Sequence, residues 1–385
     1  MEIINATDGY KLGHHRMYPE DTQMVYSNWT PRSNRYFPEA TEGSVVFGIQ
    51  YFVKKYLIEE FNKWFNLPKE EAIKQFAYRV GNFVDLNQVG TKHIEELYDL
   101  GYLPIEIKAL PEGSICPIRV PMMTIKNTLP DFFWLTNYLE TLISCTLWLP
   151  CTSATSARLY KKRLMEHARK TGFPEDVNLG FACHDFSMRG MAGLDAATIS
   201  GMAHMTSFCG SETIPAIEAV EHYYNADVTK ELVAATVPAT EHSVMCAGGE
   251  EDEIKTYRRI INELYPSGFI SIVSDTWDFW QVVEKFLPKL KADIMKRDGR
   301  VVIRPDSGDP VDIICGLRTN PHYHTAMKEG KYYCDFDPFM DDDESHYVEV
   351  SEGQYYGAYY MLGKIFGWNT TVNDYRYPST KVGLL

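Results

Sequence analysis

The sequence predicts an α/β fold: a βα-repeating parallel sheet or barrel over residues 151–385, preceded by an α+β domain over residues 1–150. Three observations carry this reading. Beyond residue 151, short apolar runs alternate with amphipathic stretches, as where Phe269–Asp275 is followed by Thr276–Leu287. The acids Glu241, Asp275 and Asp306 each fall at the end of such a run, about one βα unit apart. The chain has 385 residues, 45% of them hydrophobic, a length beyond the roughly 250–300 residues at which single cores divide.

In the N-terminal half, Ser44–Phe47 reads as a strand running into a helix with Phe52, Tyr56 and Leu57 at helical spacing, and Glu70–Val80 reads as a helix. Residues 106–121 read as two short strands around the Pro-Glu-Gly turn Pro111–Gly113. The longest apolar stretch, Phe132–Pro150, carries Asn137 and Glu140. A membrane span needs about 20 consecutive, mostly apolar residues, so a buried helix is expected there.

In the second half, Val177–Asp185 is a strand candidate, followed by an Ala/Gly-rich helix to about Met205. Ala235–His242 is the next strand candidate, then a Gly-Gly turn and a helix over 250–264 with Ile254, Tyr257, Ile261 and Leu264 on one face. The strand Phe269–Asp275, the helix Thr276–Leu287 and the strand Val301–Arg304 complete the repeat. Residues 317–353 interrupt it with an insertion whose acidic loop, Asp335–Glu344, reads as solvated surface. As a calcium loop it fails, with Met340 where Gly is needed and His346 where Glu is needed.

A net charge of −14 with 23% charged residues argues against a nucleic-acid binder. It leaves room for a small anionic ligand held by a few arginines or helix N-termini. Eight scattered cysteines without a C-x-x-C pair read as reduced thiols of a cytoplasmic protein. The first ten residues lack a basic region followed by an apolar run, so no signal peptide is expected. Phosphate-loop, dinucleotide-fold, nucleophile-elbow and zincin motifs are all missing from the sequence.

Chemistry is expected where strand ends converge. In His184–Gly190, Phe186 and Arg189 could stack a flat ring and hold a phosphate, or be a core aromatic and a surface cation. In Gly210–Pro215, Ser211 reads as an N-cap and Glu212 as a first-turn acid favoured by the helix dipole. In Val237–Ser243, Glu241 could orient His242 and raise its basicity, or His242 could be a hydrogen-bonded core residue. Asp275 is either a functional acid or the cap of the following helix. Arg304, Asp306 and Asp309 crowd the turn at Gly308. Such charge density is costly unless it meets a ligand, a metal or itself.

Together with Ala6–Lys11, Ser207–Ile214 and the stretch from Trp134–Trp148 into Cys151–Thr155, these segments resemble the nicotinamide phosphoribosyltransferase family, its bacterial and phage members more than its animal ones. The resemblance implies a type II phosphoribosyltransferase-like irregular α/β barrel with an N-terminal α+β domain, working as a homodimer with shared active sites. It implies condensation of nicotinamide with phosphoribosyl pyrophosphate to nicotinamide mononucleotide in NAD salvage, with Mg²⁺, and with ATP as co-substrate coupled through a phosphohistidine. Phe186 would stack on one face of nicotinamide, and Tyr10 of a second subunit would cover the other. Arg304 would sit beside the ring, Arg189 would hold the phosphoribosyl part, and Arg32 of the second subunit would bind phosphate. Ser271 and Asp275 would line the same tunnel, with Gly308 in the substrate-binding turn. Asp306 would bind ribose hydroxyls or, with Asp275, the Mg²⁺ shell, directly or through water. His242 matches the phosphorylated histidine, with Glu241 beside it.

Two departures stand out. The family has Asp where this chain has Glu212, a carboxylate expected to accept from the nicotinamide amide and to repel nicotinate. The chain also stops at Tyr375–Leu385, where the family continues into the last barrel strands, so the barrel is expected to be incomplete at its C-terminus with unpaired edges. A separate C-terminal chain is one expected partner, and a non-catalytic or split-enzyme chain is one alternative. Others are nicotinate phosphoribosyltransferase, against which the acid at 212 argues, and a different barrel enzyme acting on phosphorylated sugars. Neither nucleic acid nor membrane is an expected partner.

Overall fold

A computed structural model describes residues 2–172, 179–336, 344–367 and 382–384. The chain forms two compact units, 1–170 with 174–236 and 171–173 with 237–385. The sequence boundary at 150 lies inside the helix Glu140–Lys170, which runs through Pro150. The acidic loop expected over Asp335–Glu344 falls largely outside the described residues, as does most of the segment Tyr375–Leu385.

The first unit contains a three-stranded antiparallel sheet in the order Tyr26–Trp29, Met123–Asn127, Ile105–Ala109. Its central strand buries Met123, Ile125 and Asn127 on one face, the two-residue period of a half-buried strand. Asn127 is a polar member of that face, and its amide is satisfied. It donates to the carbonyls of Gln23 and Leu129 and accepts from the N–H of Val25, all at 2.8 Å. The strands flanking Pro111–Gly113 do not pair with each other; Ile115–Cys116 pairs with Ser44–Val45 instead. Phe52, Phe61, Trp64, Phe76, Ile94 and Leu135 are among the side chains of the main core. A second core joins the helices Glu140–Lys170, Leu194–His204 and Ile214–Tyr224. Gly201 makes the close approach of the last two possible, since a Cβ there would lie 2.7 Å from Cβ of Ala216. The buried helix expected over 132–150 becomes Leu135–Tyr138 and the start of Glu140–Lys170. No helix among the described residues is long and apolar enough to cross a membrane.

In the second unit, strand Asp298–Arg304 lies between Ser267–Val273 and Val382–Leu384, all parallel. Ile270, Ile272, Val273, Val301 and Ile303 are buried in one cluster with helix residues Val282, Leu287, Leu290 and Leu362. Such continuous apolar runs belong to strands covered on both faces. The strand expected over Ala235–His242 is reduced to isolated parallel bridges, Gly210 with Ala235 and Ala239 with Ser271, and a helix already begins at His242. Pro238 lacks an N–H, which explains why no continuous ladder runs through it. The insertion is a three-stranded antiparallel sheet, His324–Lys328, Lys331–Asp335 and Val348–Val350. It leads into a helix capped reciprocally by Ser351 and Gln354.

Glu253 is 1% exposed in this unit, and its carboxyl oxygens have no hydrogen-bond partner among the described residues. Burial, with the charges of Glu250 and Asp278, pushes its pKa up to about 7. The folded protein therefore holds this proton while the unfolded chain loses it, and stability falls as pH rises from the ordinary value through about 7. Glu253→Gln is expected to stabilise by roughly 3 kcal/mol at pH 8 and to change little near pH 4.5. Urea unfolding at both pH values checks this, and equal midpoints for the two proteins at pH 8 would refute it.

Candidate active site

In the second unit, Val273 is in register with Arg304, and the N–H of Ser274 donates to the Arg304 carbonyl at 2.9 Å. The two strands thus end side by side and deliver Asp275 and Asp306 to one edge. His242 opens the helix His242–Gly248, just after the bridge between Ala239 and Ser271. Its Nε2 lies 3.3 Å from Oδ1 of Asp275, and its Nδ1 lies 3.9 Å from Oδ2 of Asp306. The three acids expected to meet were Glu241, Asp275 and Asp306. The last two share His242, whereas the Glu241 carboxylate accepts from the Ser243 hydroxyl.

The doubt whether Asp275 caps a helix is resolved by the next acid along. Asp278 accepts from the N–H groups of Trp280 and Gln281 at 2.9 and 3.1 Å, and the helix begins at Phe279. Asp275 is left with His242 and with the Ser307 hydroxyl, which donates to its Oδ2 at 2.6 Å. Burial pushes the Asp275 carboxyl up, but Ser307, the N–H of Asp306 and His242 outweigh it and hold the group below its ordinary value. Gly308 has φ +89°, the left-handed conformation that lets this turn reverse. Asp309 then caps Pro310–Cys315, accepting from Val311 and Asp312 N–H at 2.9 and 3.1 Å.

Arg304 donates from a terminal nitrogen to the Thr240 carbonyl at 3.0 Å, and its Nε lies 4.0 Å from Oδ1 of Asp306. Nε of Arg304 and Oγ of Ser271 are both buried without a hydrogen bond. Unpaired buried polar atoms cost about 1–3 kcal/mol each, so a ligand presenting acceptors here would relieve that cost.

The first unit holds the other cluster. His184–Asp185 pairs in parallel with Gly210–Ser211. Asp185 is buried and accepts from the Ser187 N–H at 2.9 Å and from the Thr213 hydroxyl at 2.7 Å. Burial raises this carboxyl, and those donors with His204 nearby bring it below its ordinary value. Asp185 thereby fixes the turn that presents Phe186, whose ring is 48% exposed and lies 4.9 Å from the His184 ring. Arg189 is exposed beyond it.

Glu212 and Ser211 differ from the helix start expected of them. The helix begins at Ile214, while Ser211 belongs to the strand and accepts from the Thr213 N–H at 3.1 Å. The Glu212 carboxylate accepts from His184 Nε2 at 2.8 Å and from the Thr236 hydroxyl. His184 is the residue that sequence reasoning passed over, although it stands in the quoted His184–Gly190 motif.

Tyr10 is 68% exposed, on a segment whose neighbouring residues are tied down. Thr7 donates to the Tyr138 carbonyl at 2.8 Å, Asp8 accepts from the Thr141 hydroxyl at 2.6 Å, and buried Lys11 pairs with Glu140. Arg32 is exposed in a loop.

Comparison with known proteins places the chain in a family. The chain is 45% identical to the nicotinamide phosphoribosyltransferase of Acinetobacter baylyi over 99% of its own length and 71% of that protein. It belongs to the nicotinamide phosphoribosyltransferase family. The corresponding Mycoplasma pneumoniae protein is 34% identical, over 85% of this chain and 71% of that one. Residues 2–107 match the family profile described as nicotinamide phosphoribosyltransferase, N-terminal domain, and residues 181–337 match the nicotinate phosphoribosyltransferase family. Human nicotinic acid phosphoribosyltransferase shares the fold, with a TM-score of 0.50 at 18% identity, over 80% of this chain and 61% of that one. The expected α/β phosphoribosyltransferase fold is thereby supported. In this chain the two strand ends bring Asp275 and Asp306 into one cluster with His242.

Proposed function

We propose that this chain condenses nicotinamide with phosphoribosyl pyrophosphate in NAD salvage, as a cytoplasmic homodimer. The pyridine nitrogen forms the new bond to ribose C1, and the bond from C1 to pyrophosphate breaks with its electron pair leaving on oxygen. What carries the reading is the His242–Asp275–Asp306 cluster at the ends of adjacent parallel strands, in a chain 45% identical to a nicotinamide phosphoribosyltransferase.

The transition state places positive charge on the ribose and negative charge on the leaving group. Fixed charges that match this pattern lower the barrier without reorganising during reaction. In the second unit, Arg304 is the cation proposed to sit beside the ring and Asp306 the carboxylate proposed to bind the ribose hydroxyls; in the first, Arg189 is proposed to hold the phosphoribosyl part and Phe186 to offer a stacking surface. Among the described residues, no three His, Cys, Asp or Glu side chains converge to hold a metal. Mg²⁺ is commonly held by one or two carboxylates and the substrate's phosphates; Asp306 is the carboxylate available to it, since Asp275 is engaged by Ser307 and His242. When bound, Mg²⁺ neutralises the leaving pyrophosphate. The tautomer of His242 that donates Nε2–H to Asp275 leaves the Nδ1 lone pair free to bond to the γ-phosphorus of ATP, as the bond from that phosphorus to the bridging oxygen breaks and ADP leaves with the electron pair. Tyr10 and Arg32 are the residues proposed to reach the site of a second copy.

Glu212 and the nicotinamide-named relatives favour nicotinamide over nicotinate. Nicotinamide mononucleotide formation by the purified 385-residue chain, with Mg²⁺ and with or without ATP, tests the proposal beside a parallel run with nicotinate. Product from nicotinamide is expected, increased by ATP, with nicotinate at least about tenfold poorer. A soluble, folded chain that makes no product would overturn it in favour of the non-catalytic reading.

A further inference from the structure

We infer that His184 is a positioning residue that aims the Glu212 carboxylate at the substrate amide, and so sets the choice between a pyridine carboxamide and a pyridine carboxylate. The inference rests on the proposed nicotinamide reading and extends it to a residue to which no role has yet been given.

Four observations lead to it. Both donors that reach Glu212, His184 Nε2 and the Thr236 hydroxyl, land on the same oxygen, Oε1. Oε2 is left without a hydrogen bond among the described residues, ready to accept. The Glu212 main chain is also fixed, its N–H donating to the Asp185 carbonyl at 2.9 Å. Finally, the seat of the imidazole is built into the backbone: a Cβ on Gly210 would lie 2.5 Å from His184 Nδ1 and 3.1 Å from the Cys183 carbonyl oxygen. The φ of Gly210 is not positive, so it is the imidazole and this carbonyl, rather than a turn, that require glycine there.

The energetics follow from geometry. A glutamate has three side-chain torsions, and ordering such a chain costs about 1.5–2 kcal/mol. Two donors on one oxygen hold it in a single conformer before the substrate arrives, and the substrate then meets an acceptor already in place. An amide N–H can donate to Oε2, whereas a carboxylate brings a second negative charge to the same atom. Without His184 the glutamate can swing away, which weakens the amide contact and relaxes the repulsion at once.

The test compares wild type with His184→Ala, His184→Gln and Thr236→Ala, using nicotinamide and nicotinate in steady-state assays. His184→Ala is expected to raise KM for nicotinamide about tenfold, as for loss of a charge-assisted bond, with kcat within about twofold, and to narrow the nicotinamide-to-nicotinate ratio of kcat/KM by a similar factor. His184→Gln keeps an N–H near the Nε2 position and is expected to restore most of both. Thr236→Ala retains the His184 donor, shifts the same ratio in the same direction by less, and provides the test should His184→Ala fail to fold. The inference is overturned if either alanine variant folds and keeps wild-type KM and selectivity. It is also overturned if glutamine rescues nothing, or if the loss in His184→Ala lies wholly in kcat. Failure of the wild type to use nicotinamide would overturn the functional reading first, and this inference with it.

Discussion

His242→Ala is expected to abolish the stimulation of nicotinamide mononucleotide formation by ATP while leaving a slow, ATP-independent reaction. The loss expected in the ATP-supported rate is about 100-fold, the order that one positioned group contributes. The imidazole is 46% exposed, so ATP can reach it, and truncation leaves the buried framework intact. Its two ring nitrogens face different acids, Asp275 at 3.3 Å and Asp306 at 3.9 Å. One acid can therefore fix the tautomer while the other nitrogen acts as nucleophile and forms a bond to phosphorus. Rates with and without ATP, together with transfer of labelled γ-phosphate to the protein, measure this. If the variant kept both its ATP stimulation and its label, the phosphohistidine would have to be placed on another residue.

Much of this site was legible in the sequence because strand ends are legible. The run of buried residues Ile270–Val273 and the run Val301–Ile303 leave the first polar residues beyond them at one edge, and parallel register makes them neighbours. The same reasoning left Asp275 as either a functional acid or the cap of the following helix. That choice depends on where the first helical N–H groups point, and they point at Asp278. The strand expected over Ala235–His242 was over-read because β-branched and small residues flank Pro238, whose missing N–H breaks the ladder. The role of Glu212 was legible only in part. Local sequence offered it the dipole of a helix expected to start at Ser211, and the partner that holds it, His184, lies 28 residues upstream. Side-chain pairs at that separation are set by the parallel pairing of two strands, which no local spacing encodes. The pairing of Ile115–Cys116 with Ser44–Val45 has the same character.

The two acids that face His242 are expected to separate when each is replaced, since their surroundings differ. The Asp275 side chain is 6% exposed and its carboxylate is already fully engaged, with Ser307 on one oxygen and His242 on the other. Asp306 is 53% exposed and stands 3.9 and 4.0 Å from His242 and Arg304, too far for either to hold it closely. An engaged acid orients its neighbours, and a loosely held one is available to a ligand. Asp306→Ala is therefore expected to raise KM for phosphoribosyl pyrophosphate by about 10–100-fold, corresponding to loss of bonds of about 1.5–3 kcal/mol to a charged group, with the ATP-stimulated fraction of kcat preserved. Asp275→Asn is expected to do the reverse, sparing that KM and losing the ATP stimulation, because the His242 tautomer is no longer fixed. Asp275 also carries a pH signature of its own. The Asp275 carboxyl is held below its ordinary value in the fold, so its contribution to stability is present above the ordinary value and is lost as pH falls through the folded one. Asp275→Asn should then narrow the gap between the neutral and acid unfolding midpoints. Steady-state kinetics in both substrates and urea unfolding at pH 7 and pH 3 distinguish the two acids. Equal effects of both substitutions on KM would mean that Asp275 contacts the substrate itself, rather than acting through the imidazole.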